Sequence, residues 1–167
     1  MNEYSFKGWY NCLKGRNVEV KVKYIENPEV WASEFSFSVD VKVRFSETDM
    51  YGHMNNTVPF TYFEYARIEF LQSTGLVKDW DSKKAETFIV VADLQCDFLQ
   101  QVYFNETIQI HVKAASVGKS SIDLHYLATN VKGQPVFTGR GALVQMDPTT
   151  GKSVAFTDEE RSILLGK

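Results

Sequence analysis

The sequence predicts an α+β domain in which an antiparallel β-sheet wraps around one long central helix, at about residues 57–75. Three observations predict it. One stretch alone carries a long helical period, strand-like alternation flanks it on both sides, and Gly118-Lys119 and Lys132-Gly133 join the later strands as hairpins.

The elements follow in order. Residues 18–25, Val-Glu-Val-Lys-Val-Lys-Tyr-Ile, alternate apolar and polar as a strand with one wet face and close at Asn27-Pro28. Residues 35–45 alternate again through Phe35, Phe37, Val39, Val41, Val43 and Phe45, a long half-buried strand that runs into Ser46-Glu47-Thr48-Asp49. From Thr57 the period changes: Phe60, Phe63, Arg67 and Phe70 or Leu71 recur at helical spacing, and Gly75 suits a C-terminal cap. Tyr62, Ala66 and Ile68 add apolar bulk on other faces, so the helix should be enclosed, as a wrapped sheet would do.

A polar connection at residues 79–84 leads to four β-type stretches: Thr87 to Phe98, Glu106 to Val117, Ser120 to Asn130 and Gln134 to Met146. The last three form an antiparallel meander that ends at Asp147-Pro148-Thr149-Thr150-Gly151. Thr157-Asp158-Glu159-Glu160 reads as the capped start of a short terminal helix. The chain therefore divides into an N-terminal extension, residues 1–36, with one strand, and a single domain over 37–167.

Composition bounds the function. With 44% hydrophobic and 14% aromatic residues the chain can bury a core, which excludes a disordered tail as its description. Its 18 basic and 21 acidic residues are scattered, without a basic block to neutralise phosphates, so nucleic acid is not expected as a partner. Apolar runs such as Ile89-Val90-Val91-Ala92 fall far short of the ~20 residues of a membrane span. No apolar core with a cleavage site marks residues 1–20, which points to the cytoplasm. Cys12 and Cys96 are too few for a disulfide framework and should be free thiols, and the sequons at Asn55 and Asn105 then have no chemical consequence.

The chemistry concentrates in Thr48-Asp49-Met50-Tyr51-Gly52-His53-Met54-Asn55-Asn56, just before the helix. A helix that begins after Asn56 presents free backbone amides, which can hydrogen-bond a carbonyl oxygen as it gains negative charge under attack. The Asn56 amide is the best-placed donor. Asp49 can act on the same carbonyl as a nucleophile or as a general base for water, and the sequence leaves both open. Gly52 permits a tight turn and a close ligand approach; His53 can orient Asp49, bind substrate or move a proton; Asn55 can fix the turn. Taken singly, Asp and Asn are ordinary turn residues. It is their ordered combination before an apolar helix that points to a site.

That segment, with Tyr62-Phe63-Glu64-Tyr65-Ala66-Arg67 on the helix, resembles the 4-hydroxybenzoyl-CoA thioesterase family, whose members carry an Arg-containing strand, a Thr-Asp-x-x-Gly-His-x-Asn-Asn turn and a Tyr-Phe-Glu-x-Ala-Arg helix. It is also similar to the acyl-carrier-protein thioesterases. The resemblance covers roughly residues 37–160 and departs at Pro59, where relatives commonly have Tyr, and in the extension of residues 1–36. It implies the hotdog fold and hydrolysis of an acyl-CoA or acyl-ACP thioester to acid and thiol. It implies no cofactor, coenzyme A being part of the substrate, and a homodimer or homotetramer with the site at a subunit boundary.

Secondary assignments are weaker in chemistry. Glu64 and Arg67 are spaced to pair with one another, yet some hotdog thioesterases place a catalytic carboxylate on this helix, which makes Glu64 the reserve base. Lys119, Ser120 and Ser121 sit in a hairpin where they can meet the phosphates of a coenzyme A arm. His111 and His125 have no ligand partners at metal-binding spacing, so no metal is expected. Two other functions remain for such a fold: a dehydratase or hydratase, which needs an acid/base pair aimed at Cα and Cβ, and an acyl-CoA-binding module without catalysis.

Overall fold

A computed structural model describes residues 22–76 and 86–166. Helix α1 (Pro28–Ser33) precedes strand β1 (Phe37–Lys42), a 3-10 turn (Phe45–Glu47) and the long helix α2 (Val58–Ser73). Strands β2 (Phe88–Val91), β3 (Gln95–Phe98), β4 (Thr107–Val117), β5 (Ser121–Asn130) and β6 (Pro135–Met146) and helix α3 (Asp158–Leu164) follow. The sheet is antiparallel throughout, in the order β1-β4-β5-β6-β2, with β3 also on β6. It curls around α2 in the hotdog arrangement that the sequence predicts.

The helix ends as its residues dictate. Gly75 lies just beyond it at φ 72°, a left-handed backbone that terminates helices and suits glycine. The buried positions of α2, Pro59, Tyr62, Phe63, Ala66, Arg67, Phe70 and Leu71, recur at three- and four-residue steps and form one stripe against the sheet. The opposite face, with Phe60, Glu64 and Tyr65, is open in the single chain, so the chain encloses α2 on one side only. Close approach of helix and sheet depends on Gly139 of β6. A Cβ there would stand 2.5 Å from the Phe63 ring and 2.8 Å from the Gln95 carbonyl oxygen. In its absence Phe63 stacks on Tyr126 at 4.4 Å between ring centroids.

Three details depart from the sequence reading. The strand expected over Thr87 to Phe98 is broken into β2 and β3 at residues 92–94. There the Asp93 carboxylate accepts from the Ala142 amide at 2.8 Å, and Gly141 lets the Asp93 carbonyl approach to where a Cβ would be 2.9 Å away, a local irregularity that bends the strand. The strand expected over 35–45 is shorter, and Phe45 turns outward, 77% exposed, against Phe104, because the chain has already entered the 3-10 turn. Of the strand expected at 18–25, residues 18–21 lie outside the described residues, and 22–25 form a turn closed by the Ile25 amide on the Val22 carbonyl at 3.1 Å. Cys12 and the connection at 79–84 also lie outside them.

Residues 22–36 cover the outer face of the sheet, away from α2. Asn27 caps α1 by accepting from the Val30 amide, and Trp31 and Ala32 pack with Leu127 among Tyr24, Ile25 and Phe35. Polar groups fix the placement. The Trp31 indole N–H donates to His125 Nδ1 at 2.8 Å, and the buried Lys113 ammonium donates to the Trp31 carbonyl at 2.7 Å and pairs with Glu34. Tyr24 donates to Asp97 and Thr138. Residues 124–129 of β5 are consequently buried without interruption.

This packing can be tested at two positions. Gly139→Ala should lower stability by about 1–3 kcal/mol, because the added methyl must displace a packed ring and a backbone carbonyl; the urea midpoint at constant slope measures it. The second test concerns pH. Burial holds the His125 imidazole below its ordinary pKa; Asp123 opposes that shift, while Lys113 and Arg140 add to it. The folded state thus favours the neutral ring that accepts from Trp31. Its contribution is complete above the unfolded imidazole value of about 6.5 and is lost as pH falls through that value toward the lower folded one. His111, also lowered by burial, acts with the same sign. Urea midpoints read by circular dichroism should fall on acidification from pH 7, and His125→Gln should flatten part of that slope; an unchanged slope would remove His125 from the account.

Candidate active site

The segment between β1 and α2 is shaped by backbone bonds. Val43 is anchored by its amide on the Glu106 carbonyl and by its own carbonyl, which accepts from Asn105, both at 2.9 Å. Beyond the 3-10 turn the chain doubles back. The Asp49 amide donates to the His53 carbonyl at 2.8 Å, the Gly52 amide to the Asp49 carbonyl at 3.0 Å and the Asn55 amide to the Glu47 carbonyl at 2.8 Å, with Thr48 bridged to Met54. Gly52 takes φ 81° at the tip, with nothing within 4 Å of where a Cβ would be. The backbone angle, not space, therefore requires glycine.

Within this loop Asp49 is half-buried. Its Oδ1 accepts from the Tyr51 amide at 2.8 Å and from the His53 amide at 3.4 Å, while Oδ2 has no protein partner among the described residues. One oxygen thus ties the carboxylate to the turn. The His53 ring lies edge-on to Tyr103 at 5.4 Å; it is the His53 backbone, not the imidazole, that contacts Asp49. Asn55 Oδ1 accepts from the amide and the hydroxyl of Thr57 at 3.0 and 2.9 Å, which makes Asn55 a turn-fixing residue. Amides at the start of α2 are mostly engaged: Thr57 with Asn55 Oδ1, Val58 with the Asn55 carbonyl, Phe60 with the Thr57 carbonyl. Pro59 has none. The Asn56 amide donates to no group of the described residues, so the loop holds an open carboxylate oxygen and an open amide within eight consecutive residues, 49–56.

The fold agrees with the comparisons to known proteins. The family model of the thioesterase-like superfamily matches residues 43–164, from the buried end of β1 to the last helix. The chain belongs to the thioesterase-like superfamily. The uncharacterized protein YsmA of Bacillus subtilis (strain 168) is 48% identical over 143 residues, covering 85% of this chain and 95% of that protein. The chloroplastic acyl-acyl carrier protein thioesterase ATL3 of Arabidopsis thaliana is 27% identical over 117 residues, 69% of this chain and 60% of that enzyme. Among solved structures, a thioesterase of Thermus thermophilus complexed with coenzyme A and zinc superposes with a TM-score of 0.69 at 28% identity, covering 80% of this chain and 94% of that one. In this superfamily member itself, no group of three or more His, Cys, Asp or Glu among the described residues is arranged to hold a metal ion. No helix among them is long and apolar enough to cross a membrane.

The other nominated residues are placed elsewhere. Glu64 is exposed on the open face of α2 and does not pair with Arg67. Arg67 turns inward instead, 9% exposed, and its Nη1 donates to the Tyr126 hydroxyl at 3.4 Å. Lys119, Ser120 and Ser121 lie at the far end of the sheet. The Asp49 loop leaves β1 beside Thr107, and β4 then runs ten residues before their hairpin, about 33 Å at 3.3 Å per residue. Arg161 of α3 holds that hairpin by donating to the Lys119 carbonyl at 2.9 Å.

Sequence reasoning missed one contact beside the site. The Tyr62 hydroxyl donates to Glu47 Oε2 at 2.6 Å, and burial, followed by the adjacent Glu47 carboxylate, pushes the Tyr62 pKa upward. The two residues are fifteen positions apart on different elements, so no periodicity links them.

Gly52→Ala should cost about 1–2 kcal/mol through the left-handed backbone alone, and Gly52→Asn less, since asparagine tolerates that region. Thermal unfolding of the two variants checks the order; an Asn variant as unstable as Ala would refute it.

Proposed function

We propose that the protein hydrolyses an acyl-CoA thioester, with an acyl-carrier-protein thioester as the alternative donor, releasing a free acid and a thiol. The single observation that carries the reading is the loop at 49–56, which holds Asp49 by one oxygen, leaves the other open, and carries the unbonded Asn56 amide at the entry to α2. An amide there stabilises the thioester oxygen as it becomes an oxyanion, assisted by the positive end of the helix dipole. Asp49 then acts in one of two ways. As a nucleophile it bonds to the carbonyl carbon, expels the thiolate and leaves a mixed anhydride that water cleaves. As a general base it takes a proton from the attacking water, and collapse of the tetrahedral adduct expels the thiolate, which is protonated.

The chemistry of the relatives supports this class: one is an acyl-acyl carrier protein thioesterase and another a thioesterase solved with coenzyme A. No cofactor enters the scheme, since coenzyme A arrives with the acyl group. Gly52 and Asn55 hold the loop, and His53 faces it from the returning limb. Lys119, Ser120 and Ser121 serve the coenzyme A phosphates if a second copy brings its hairpin to this loop, which makes a homodimer or homotetramer part of the proposal.

Thiol release from a panel of acyl-CoA substrates tests the reading, with Asp49→Asn as its control. That substitution should lower kcat by ~10²–10⁴-fold without unfolding the protein. Equal rates for the two proteins would exclude Asp49, and hydration of crotonyl-CoA without hydrolysis of any thioester would replace the reaction with a hydratase.

A further inference from the structure

Glu47 is joined to the exit of β1, to α2 and to the returning limb of the Asp49 loop. Its Oε2 accepts from the Arg44 amide at 2.7 Å, at the exit from β1, and from the Tyr62 hydroxyl at 2.6 Å, on α2. Its carbonyl accepts from the Asn55 amide at 2.8 Å, on the returning limb. The loop from 48 to 54 has no such tie of its own to the helix, because its remaining bonds are internal or reach the Val102 carbonyl through the Met54 amide at 2.7 Å. The Glu47 side chain is 15% exposed and Tyr62 is 4% exposed, so the bond between them is shielded from competing water.

Two readings of such a contact are distinguishable. It either contributes only to folding, or it sets where the Asp49 carboxylate stands relative to the start of α2. The geometry favours the second. Tyr62 is four residues past Val58, one helical turn above the first residue of α2, and Glu47 is two residues before Asp49. The bond therefore fixes the separation of the two limbs that carry the reacting groups. Unlike Asp49, whose Oδ2 is open, Glu47 has its second oxygen engaged as well, with Oε1 3.8 Å from the Arg44 guanidinium Nε.

We propose that Glu47 and Tyr62 are positioning residues for thioester hydrolysis, locking the Asp49 loop onto the entry of α2 through the Tyr62 hydroxyl. The inference rests on the function proposed above. Displacements of about an ångström at a reacting centre cost up to about 100-fold in rate, so the expected effects are large without any contact to substrate.

The test compares wild type with Glu47→Ala, Glu47→Gln, Tyr62→Phe and Asp49→Asn by steady-state thiol release, and by amide hydrogen exchange over residues 48–57. Glu47→Ala and Tyr62→Phe should lower kcat about 10- to 100-fold with KM little changed and should speed exchange in the loop. Glu47→Gln keeps an oxygen for both donors and should recover most of the rate. Wild-type kcat and wild-type exchange in Tyr62→Phe would overturn the proposal, leaving the contact a purely structural one. A Glu47→Gln variant as slow as Asp49→Asn would also overturn it, because Glu47 would then be the acid or base itself. Asp49→Asn with full activity would defeat the proposed function alone, and loop exchange in Tyr62→Phe would still decide the positioning claim.

Discussion

The structure depends on how closely α2 can approach the sheet, and one absent side chain sets that distance. Gly139 leaves room for the Phe63 ring, which stacks on Tyr126 and meets Phe137. With the helix seated, Ala66, Phe70 and Leu71 are buried in turn against the β1, β4 and β5 residues of one core. The start of α2 is then fixed beside the end of β1, where the sequence between them has no choice but to form a tight loop. The contact of Glu47 with Tyr62 at the base of that loop is thus a consequence of core packing as much as of the loop's own residues.

Much of this was legible in the sequence. Alternation located the β4-β5-β6 meander to within one residue and β1 to within three, because those strands have a continuously apolar face toward α2. Thr157 and Glu160 form the expected reciprocal cap of α3, since capping is local chemistry. The order Asp49, Gly52, His53, Asn55, Asn56 was readable for the same reason: a tight loop before a helix is built from nearest neighbours.

What escaped the sequence is long-range. Nothing near Phe45 says that the strand has already ended there, and nothing near Asp93 says that Gly141 will admit its backbone. Helical spacing allowed Glu64 to meet Arg67, but the guanidinium has an acceptor on β5, and only the folded sheet supplies it. Residues 22–36 gave no sign that their apolar side chains would find Leu127, because the face they cover is assembled from strands far along the chain. The Glu47 contact with Tyr62 was invisible for that reason too.

The covering of the outer face has a consequence for how the chain is made. The indole of Trp31 reaches a ring ninety-four residues downstream, and its carbonyl an ammonium eighty-two residues downstream. At ribosomal speeds of roughly 5–20 residues per second, α1 is synthesised some 5–20 s before those partners emerge. Helix α1 therefore has nothing to dock on until β4 and β5 have emerged.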